Sequence, residues 1–327
     1  MPLPAEAVAV LPTLAEIRGA AVRIRGFARH TPLERSAWLS ELAGTDIYLK
    51  LECWQPTRSF KVRGAGNAVF SLPAEAVARG VVTASAGNHG QAVALAAARA
   101  DVDALVFVPR TAPAVKKQRI RALGARLDES AADYDEAEAR ASAHAEASDA
   151  TLVHAFSDPD VIAGQGTTGL EILADLPDCA AVVVPVGGGG LIAGIGAALR
   201  AAGSGAQVIG VQSERTRNMY EAFAAGRLVA CAIEPTLADG LAGCTDDATF
   251  RRAHAVTDTL ELVSEAAIGE ALRAHLERDG LLLEGAAATP AAALIEGRVA
   301  PAGPTVLVLT GGNIDPHVLA ATLGRDP

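Results

Sequence analysis

Short runs of β-branched and aliphatic residues alternate along this chain with longer Ala-rich segments whose apolar positions recur at helical spacing. The clearest runs are Gly80 to Thr83, Ala104 to Pro109, Ala181 to Val186, Gln207 to Gln212 and Thr305 to Thr310. This alternation predicts βαβ units around a mostly parallel sheet. Most of the runs end in a Gly, Ser or Thr cluster followed by a helical pattern, and the carboxyl ends of parallel strands are where open α/β sheets bind ligands. IYLKLE around Lys50 also reads as a strand. From Asp128 to Asp149 the sequence is acidic, polar and helical in character, which predicts a solvated helix face, and Val153 to Ile162 returns to loop chemistry.

The chain has 327 residues, enough for two domains or one large α/β unit. No fixed-period repeat or low-complexity tether is present, so a second domain is expected to be inserted, with a weak boundary near residue 150. Half the residues are apolar and 20% are charged, a packed globular composition. No apolar stretch free of Gly and charge is long enough to span a bilayer. Met1 to Thr13 lacks the basic and apolar regions of a signal peptide, so a cytoplasmic location is expected. A net charge of −10 leaves no basic stripe for nucleic acid. Cys53, Cys179, Cys231 and Cys244 are scattered without a C-x-x-C pair, which argues against a zinc ribbon or disulfide framework and for buried thiols in a reducing compartment.

Only four lysines are present, Lys50, Lys61, Lys116 and Lys117, so few amines are available for imine chemistry. Lys61 lies in Ser59-Phe60-Lys61-Val62-Arg63-Gly64-Ala65, behind a small polar residue and an aromatic and at the start of a helical stretch. That setting suits a desolvated amine with a lowered pKa, although a surface lysine at a helix start has the same signature. The other three read as structural. Val182 to Val186 runs into Gly187, Gly188, Gly189 and Gly190 and then a helical pattern. A strand feeding a glycine turn and a helix start presents unpaired N–H groups to an anion. Gly188, Gly190 and Ala193 also fit a dinucleotide fingerprint with Glu214 beyond the next strand, which keeps an NAD-dependent dehydrogenase open. Ser85, Ala86, Gly87, Asn88 and His89 sit between an apolar strand and an Ala-rich helix, where small residues and free N–H groups suit a carboxylate. A plain helix cap with a solvated histidine is the competing reading. Thr310, Gly311, Gly312 and Asn313 close the last strand, where Thr310 is a candidate site residue or merely a turn residue.

Taken in this order and spacing, SFKVRGA, SAGNHGQA, the tetraglycine loop and the terminal TGGN closely resemble the fold-type II pyridoxal-phosphate family, and within it the threonine and serine dehydratases and serine racemases. TLADG at Thr236, VSE at Val263 and LEGAAA at Leu283 resemble the same family. The resemblance implies a tryptophan synthase β-like α/β fold of two open twisted domains with the cofactor between them. Residues 1–71 and 152–327 would form the large domain and 72–151 the small inserted one. It implies that Lys61 carries pyridoxal 5'-phosphate as an imine with Phe60 packed behind it, and that Asn88 bonds the ring 3′-oxygen. Gly187 to Gly190 would bind the phosphate and Thr310 would face the ring nitrogen. Ser85, Ala86, Gly87, Asn88 and His89 would hold the carboxylate of a small amino-acid substrate. The freed Lys61 amine would then remove the Cα proton, the β-hydroxyl would leave, and a 2-oxo acid and ammonia would result. A homodimer is implied on the same ground. For Glu284, a place at the ring edge and a buried structural carboxylate remain open.

Three departures or omissions carry weight. Gln212 stands where metal-dependent relatives have a glutamate, which removes most of the attraction for a hard cation, so no metal is expected. Few residues follow Asn313, so feedback control of the biosynthetic kind is not expected. Ala86 stands where racemases of the family have the serine that delivers a proton to the opposite face, so dehydration is expected over racemisation. Amino-acid racemisation, an NAD-dependent dehydrogenase and a non-catalytic amino-acid-binding regulator are the alternatives; an imine absorbance band would dispose of the last two.

Overall fold

The computed structural model describes residues 10–243 and 245–324. Cys244 and residues 1–9 of the N-terminal stretch discussed above lie outside them. The described strands are β1 (Leu33–Arg35), β2 (Ile47–Lys50), β3 (Val81–Ala84), β4 (Ala104–Pro109), β5 (Arg126–Ala131), β6 (Thr151–Leu152), β7 (Ala181–Pro185), β8 (Gln207–Ser213), β9 (Thr259–Val263) and β10 (Thr305–Val308). They form two sheets, ordered β1-β2-β10-β7-β8-β9 and β5-β4-β3-β6. All pairings are parallel except β1 with β2. No described helix is long and apolar enough to cross a membrane.

The larger sheet is covered on both faces, which is why its central strands read as unbroken apolar runs. Val183, Val211 and Leu307 pack on one side with Leu39 and the alanines of the helix Gly285–Ile295. Val182, Val184, Val306 and Val308 point the other way, against Ile162, Ile172, Ile192, Ile195 and Phe250. The same two-face pattern recurs in the smaller sheet. Val81, Val106 and Val108 meet Val93 and Ala96, while Val82 and Phe107 meet Ala137 and Ala141.

Two features depart from the sequence reading. Asp128 to Ala131, at the head of the acidic run, belongs to β5 rather than to a helix. β5 is an edge strand paired with β4 alone, and charged side chains on such an edge block further pairing. The helix begins only at Tyr134, behind the Asp133 cap, and runs to Ser148 with Ala137 and Ala141 buried. The thiols also divide: Cys53 and Cys179 are buried, whereas Cys231 is only partly so, because it lies in a segment without regular structure.

The helix Lys61–Phe70 bridges the two sheets. Val62, Ala65 and Val69 join the smaller sheet's core. Its other side meets the helix Pro159–Asp175 at Gly64 and Gly164, where a Cβ on Gly164 would lie 2.6 Å from the Arg63 carbonyl. That close approach seals Arg63 inside. Its guanidinium donates to Glu52 at 2.7 and 2.8 Å and to Glu171 at 2.7 and 2.8 Å. Glu171 in turn meets the Lys50 amine at 2.7 Å. Arg63 is 1% exposed, and Glu52 and Lys50 are 0% exposed, so this is a buried ion chain rather than surface decoration.

Candidate active site

A cavity of about 510 Å³ opens at the carboxyl ends of β3, β7 and β10, and residues from all four sequence clusters line it. Phe60, Lys61, the Ser85–His89 loop, Gly187 to Gly190 and Thr310 are brought together there.

Lys61 is placed by the end of β10. The Phe60 N–H donates to the Thr310 carbonyl at 3.1 Å, Gly312 N–H donates to Arg58 O at 2.9 Å, and Ser59 bridges to Gly311. Arg58 adopts a left-handed φ of 56°, unusual for any residue but glycine, and these contacts hold it there. The Lys61 amine donates to the Ala155 carbonyl at 2.7 Å and lies 5.2 Å from the Phe60 ring centre. Burial lowers its pKa to about 8, with the Glu284 charge pulling the other way. The surface-lysine alternative is therefore not what the fold presents.

Opposite lies the glycine loop, running into the helix Gly190–Ala201. Among the described residues no acceptor takes the N–H groups of Gly187, Gly188 or Gly189. The loop's composition has a packing cause beside any ligand. A Cβ on Gly188 would fall 2.5 Å from the Phe156 ring, one on Gly190 would fall 2.7 Å from the Phe156 carbonyl, and Gly189 has a left-handed φ of 94°.

Asn88 begins the helix Asn88–Ala100, which has no side-chain cap and so leaves its first N–H groups open. The Asn88 amide donates to Glu284 at 2.8 Å and accepts from the Asn313 amide at 2.7 Å. Glu284 is 6% exposed; burial raises its pKa to about 7, opposed by the Asn88 hydrogen bond. It is thus a buried carboxylate that also lines the cavity. The Ser85 hydroxyl accepts from Gly87 N–H at 3.1 Å. His89 is not the solvated histidine of a plain cap. It is 2% exposed, with Nε2 on the Val153 carbonyl at 2.9 Å, and burial foremost, then the Lys61 charge, lowers its pKa to about 3. The ring is neutral at working pH. Thr310 is 3% exposed, and its hydroxyl finds no partner among the described residues.

Lys50 and Lys117 are structural, paired with Glu171 and Glu129. Lys116 instead lines the cavity and pairs with Asp239 at 3.2 Å, because its helix Ala114–Ala122 faces the opening. Arg119, Tyr134, Asp135, Glu138 and Gln165 also reach the cavity, and no local sequence signal marks them. Gln212 lies buried with both ends of its amide engaged, donating to Asn218 and accepting from Tyr220 N–H.

A family model described as pyridoxal-phosphate dependent enzyme matches residues 24–311. The L-threonine ammonia-lyase of Geobacter sulfurreducens is 44% identical over 305 residues, which is 93% of this chain and 76% of that protein. Among solved structures, maize serine racemase superposes with a TM-score of 0.91 at 30% identity, covering 96% of this chain and 98% of that one. The processed form of threonine deaminase isoform 2 from Solanum lycopersicum gives 0.88 at 32%, covering 98% and 93%.

Proposed function

Because the chain belongs to the family of pyridoxal-phosphate dependent enzymes, we propose that it is a dehydratase that converts L-threonine, L-serine or a related β-hydroxy amino acid to a 2-oxo acid and ammonia. The observation that carries the reading is the Lys61 amine, lowered to about 8, in one cavity with a glycine loop whose N–H groups find no acceptor among the described residues. The relatives named for threonine support the substrate class.

The residues fit the cofactor. Lys61 supplies a nucleophilic amine, Gly187 to Gly190 and the following helix start supply N–H donors for a phosphate, and Thr310 supplies an unpartnered neutral hydroxyl. When bound, pyridoxal phosphate supplies an aldehyde that captures amines and an electron sink for charge developing at Cα. Lys61 would hold the cofactor and, as a free amine, would take the Cα proton at Nζ. The open N–H groups at the start of the helix Asn88–Ala100 receive the substrate carboxylate, in the loop Ser85 to His89. Asn88, fixed by Glu284 and Asn313, would orient the cofactor ring. Thr310 would offer the cofactor a neutral hydroxyl rather than a carboxylate counter-ion. Phe60 and the buried neutral His89 keep Lys61 desolvated.

The resemblance also supports a large unit of residues 1–71 and 152–327 with 72–151 inserted, a homodimer and a cytoplasmic location. The separation into two sheets favours the first of these. Release of 2-oxo acid is measured across threonine, serine, hydroxyaspartate and phenylserine. Turnover with threonine or serine is expected, and no product from any of them would sink the reading.

Capture of cofactor by the apo-protein needs the neutral Lys61 amine. Its rate should therefore rise with pH through about 8 and level off above, roughly tenfold per unit well below that point. Stopped-flow absorbance measures this, and a rate flat from pH 6.5 to 9 would show that Lys61 is not the capturing amine. Racemisation is disfavoured because Ala86 has no proton to deliver to the face opposite Lys61. Chiral chromatography should find negligible D-serine from the native protein and measurable D-serine from Ala86→Ser. D-serine from the native protein at a rate comparable to pyruvate would favour the racemase.

A further inference from the structure

The segment from Val153 to Asp158 joins β6 to the helix Pro159–Asp175 and touches both halves of the cavity. Its Ala155 carbonyl accepts from the Lys61 amine at 2.7 Å, and its Phe156 ring and carbonyl close on Gly188 and Gly190. Thr83, His89 and Arg252 hold the carbonyls at its two ends, on Val153 and Ser157, and His154 folds the turn between them. The Nδ1 of His154 accepts the N–H groups of Phe156 at 3.4 Å and Ser157 at 3.3 Å, folding the backbone round the ring. Nε2 lies 2.7 Å from the Glu138 carboxylate on the helix Tyr134–Ser148. The ring also stands edge-on to Phe156, with centroids 4.5 Å apart. Accepting at Nδ1 while facing a carboxylate at Nε2 fixes one tautomer, with the proton on Nε2. The other titratable groups near it are His89, Asp158 and Tyr134.

We propose that His154 is a positioning residue for both halves of the cofactor site: its Nδ1 lone pair holds the 155–157 turn that aims the Ala155 carbonyl at Lys61 and seats Phe156 against the phosphate loop. The proposal rests on the cofactor reading above. Its consequence is specific to one nitrogen. Loss of the Nδ1 acceptor leaves two N–H groups unpaired and lets the turn relax away from both Lys61 and the glycine loop. Loss of the Glu138 contact leaves the turn in place.

Two substitutions separate the nitrogens. In His154→Asn the side-chain oxygen comes where Nδ1 was and makes the same local turn, but cannot reach Glu138. In His154→Gln the amide reaches Glu138 and offers no acceptor at the turn. Glu138→Ala removes the outer partner and keeps the ring. Retention of pyridoxal phosphate is measured by equilibrium dialysis of each holo-protein, together with the position of its visible band. His154→Gln should weaken retention by about tenfold or more and shift the band, as expected for a lost local hydrogen bond. His154→Asn and Glu138→Ala should both stay within about threefold of the native protein, since the turn acceptor survives in each. Equal losses in the two His154 variants, or a loss in Glu138→Ala as large as that in His154→Gln, would overturn the proposal. Should His154→Gln not accumulate, a tenfold loss in His154→Asn alone overturns it. If the native protein develops no visible band with pyridoxal phosphate, it is the cofactor reading that fails.

Discussion

Lys61→Ala is expected to lose the visible band of the purified protein and to lower ammonia release from threonine by at least about a thousandfold, since in the proposed function the amine that holds the cofactor is also the base at Cα. The other amines cannot take its place. Lys50 is sealed against Glu171, and Lys117 is tied to Glu129. Lys116 is the stringent control because it lines the same cavity, yet it stands at the Asp239 side rather than beside Ala155. Borohydride reduction followed by peptide mapping checks the assignment. A reduced adduct at Lys116 in the variant, or turnover near the native rate, would refute it.

The second large effect concerns stability. Arg63→Leu should destabilise the protein by roughly 3–5 kcal/mol, because it strands the Glu52 carboxylate where water cannot reach to replace the guanidinium, while Glu171 keeps Lys50 as its partner. Glu52 alone has two oxygens committed to Arg63, at 2.7 and 2.8 Å, with the Thr31 hydroxyl donating to the first of them at 2.6 Å. Urea unfolding of the holo-protein measures the loss. Adding Glu52→Gln to Arg63→Leu should recover part of it, as one buried charge is then gone. A midpoint for Arg63→Leu equal to that of the native protein would mean that the chain of ions contributes nothing.

Neither ion chain nor cavity wall was fully visible in the sequence, and the reasons differ. The central strands announced themselves because both their faces are apolar. β1 and β6, of three and two residues, are too short to carry any alternation and exist because β2 and β3 offer them a partner. Arg63 and Glu171 stand 108 positions apart, and a lone charge within a stretch of small residues reads as a surface residue until the fold closes over it. Lys116 reached the cavity through the placement of its helix, which no local pattern encodes. The clusters at Ser85, Gly187 and Thr310 were legible because each follows a strand, and parallel strands deliver their carboxyl ends to one edge; Lys61 instead opens a helix and is brought there by its contacts with the end of β10. The glycine loop was legible for an incomplete reason: an anion explains unclaimed N–H groups, but Phe156 explains why no side chain is tolerated at Gly188 and Gly190.

The order of the larger sheet bears on how the protein is made. β10, the latest strand in the sequence, lies between β2 and β7, and it also anchors the turn that carries Lys61. A nascent chain therefore holds β1-β2 and β7-β8-β9 as two separate edges, each with an open flank, until β10 leaves the ribosome and fills the gap. The smaller sheet, drawn entirely from residues 81–152, has no such wait. Synthesis from the N-terminus thus gives the smaller sheet a head start, while the larger sheet spends its last moments with two unsatisfied flanks facing each other, the interval in which chaperone binding or mispairing competes with completion.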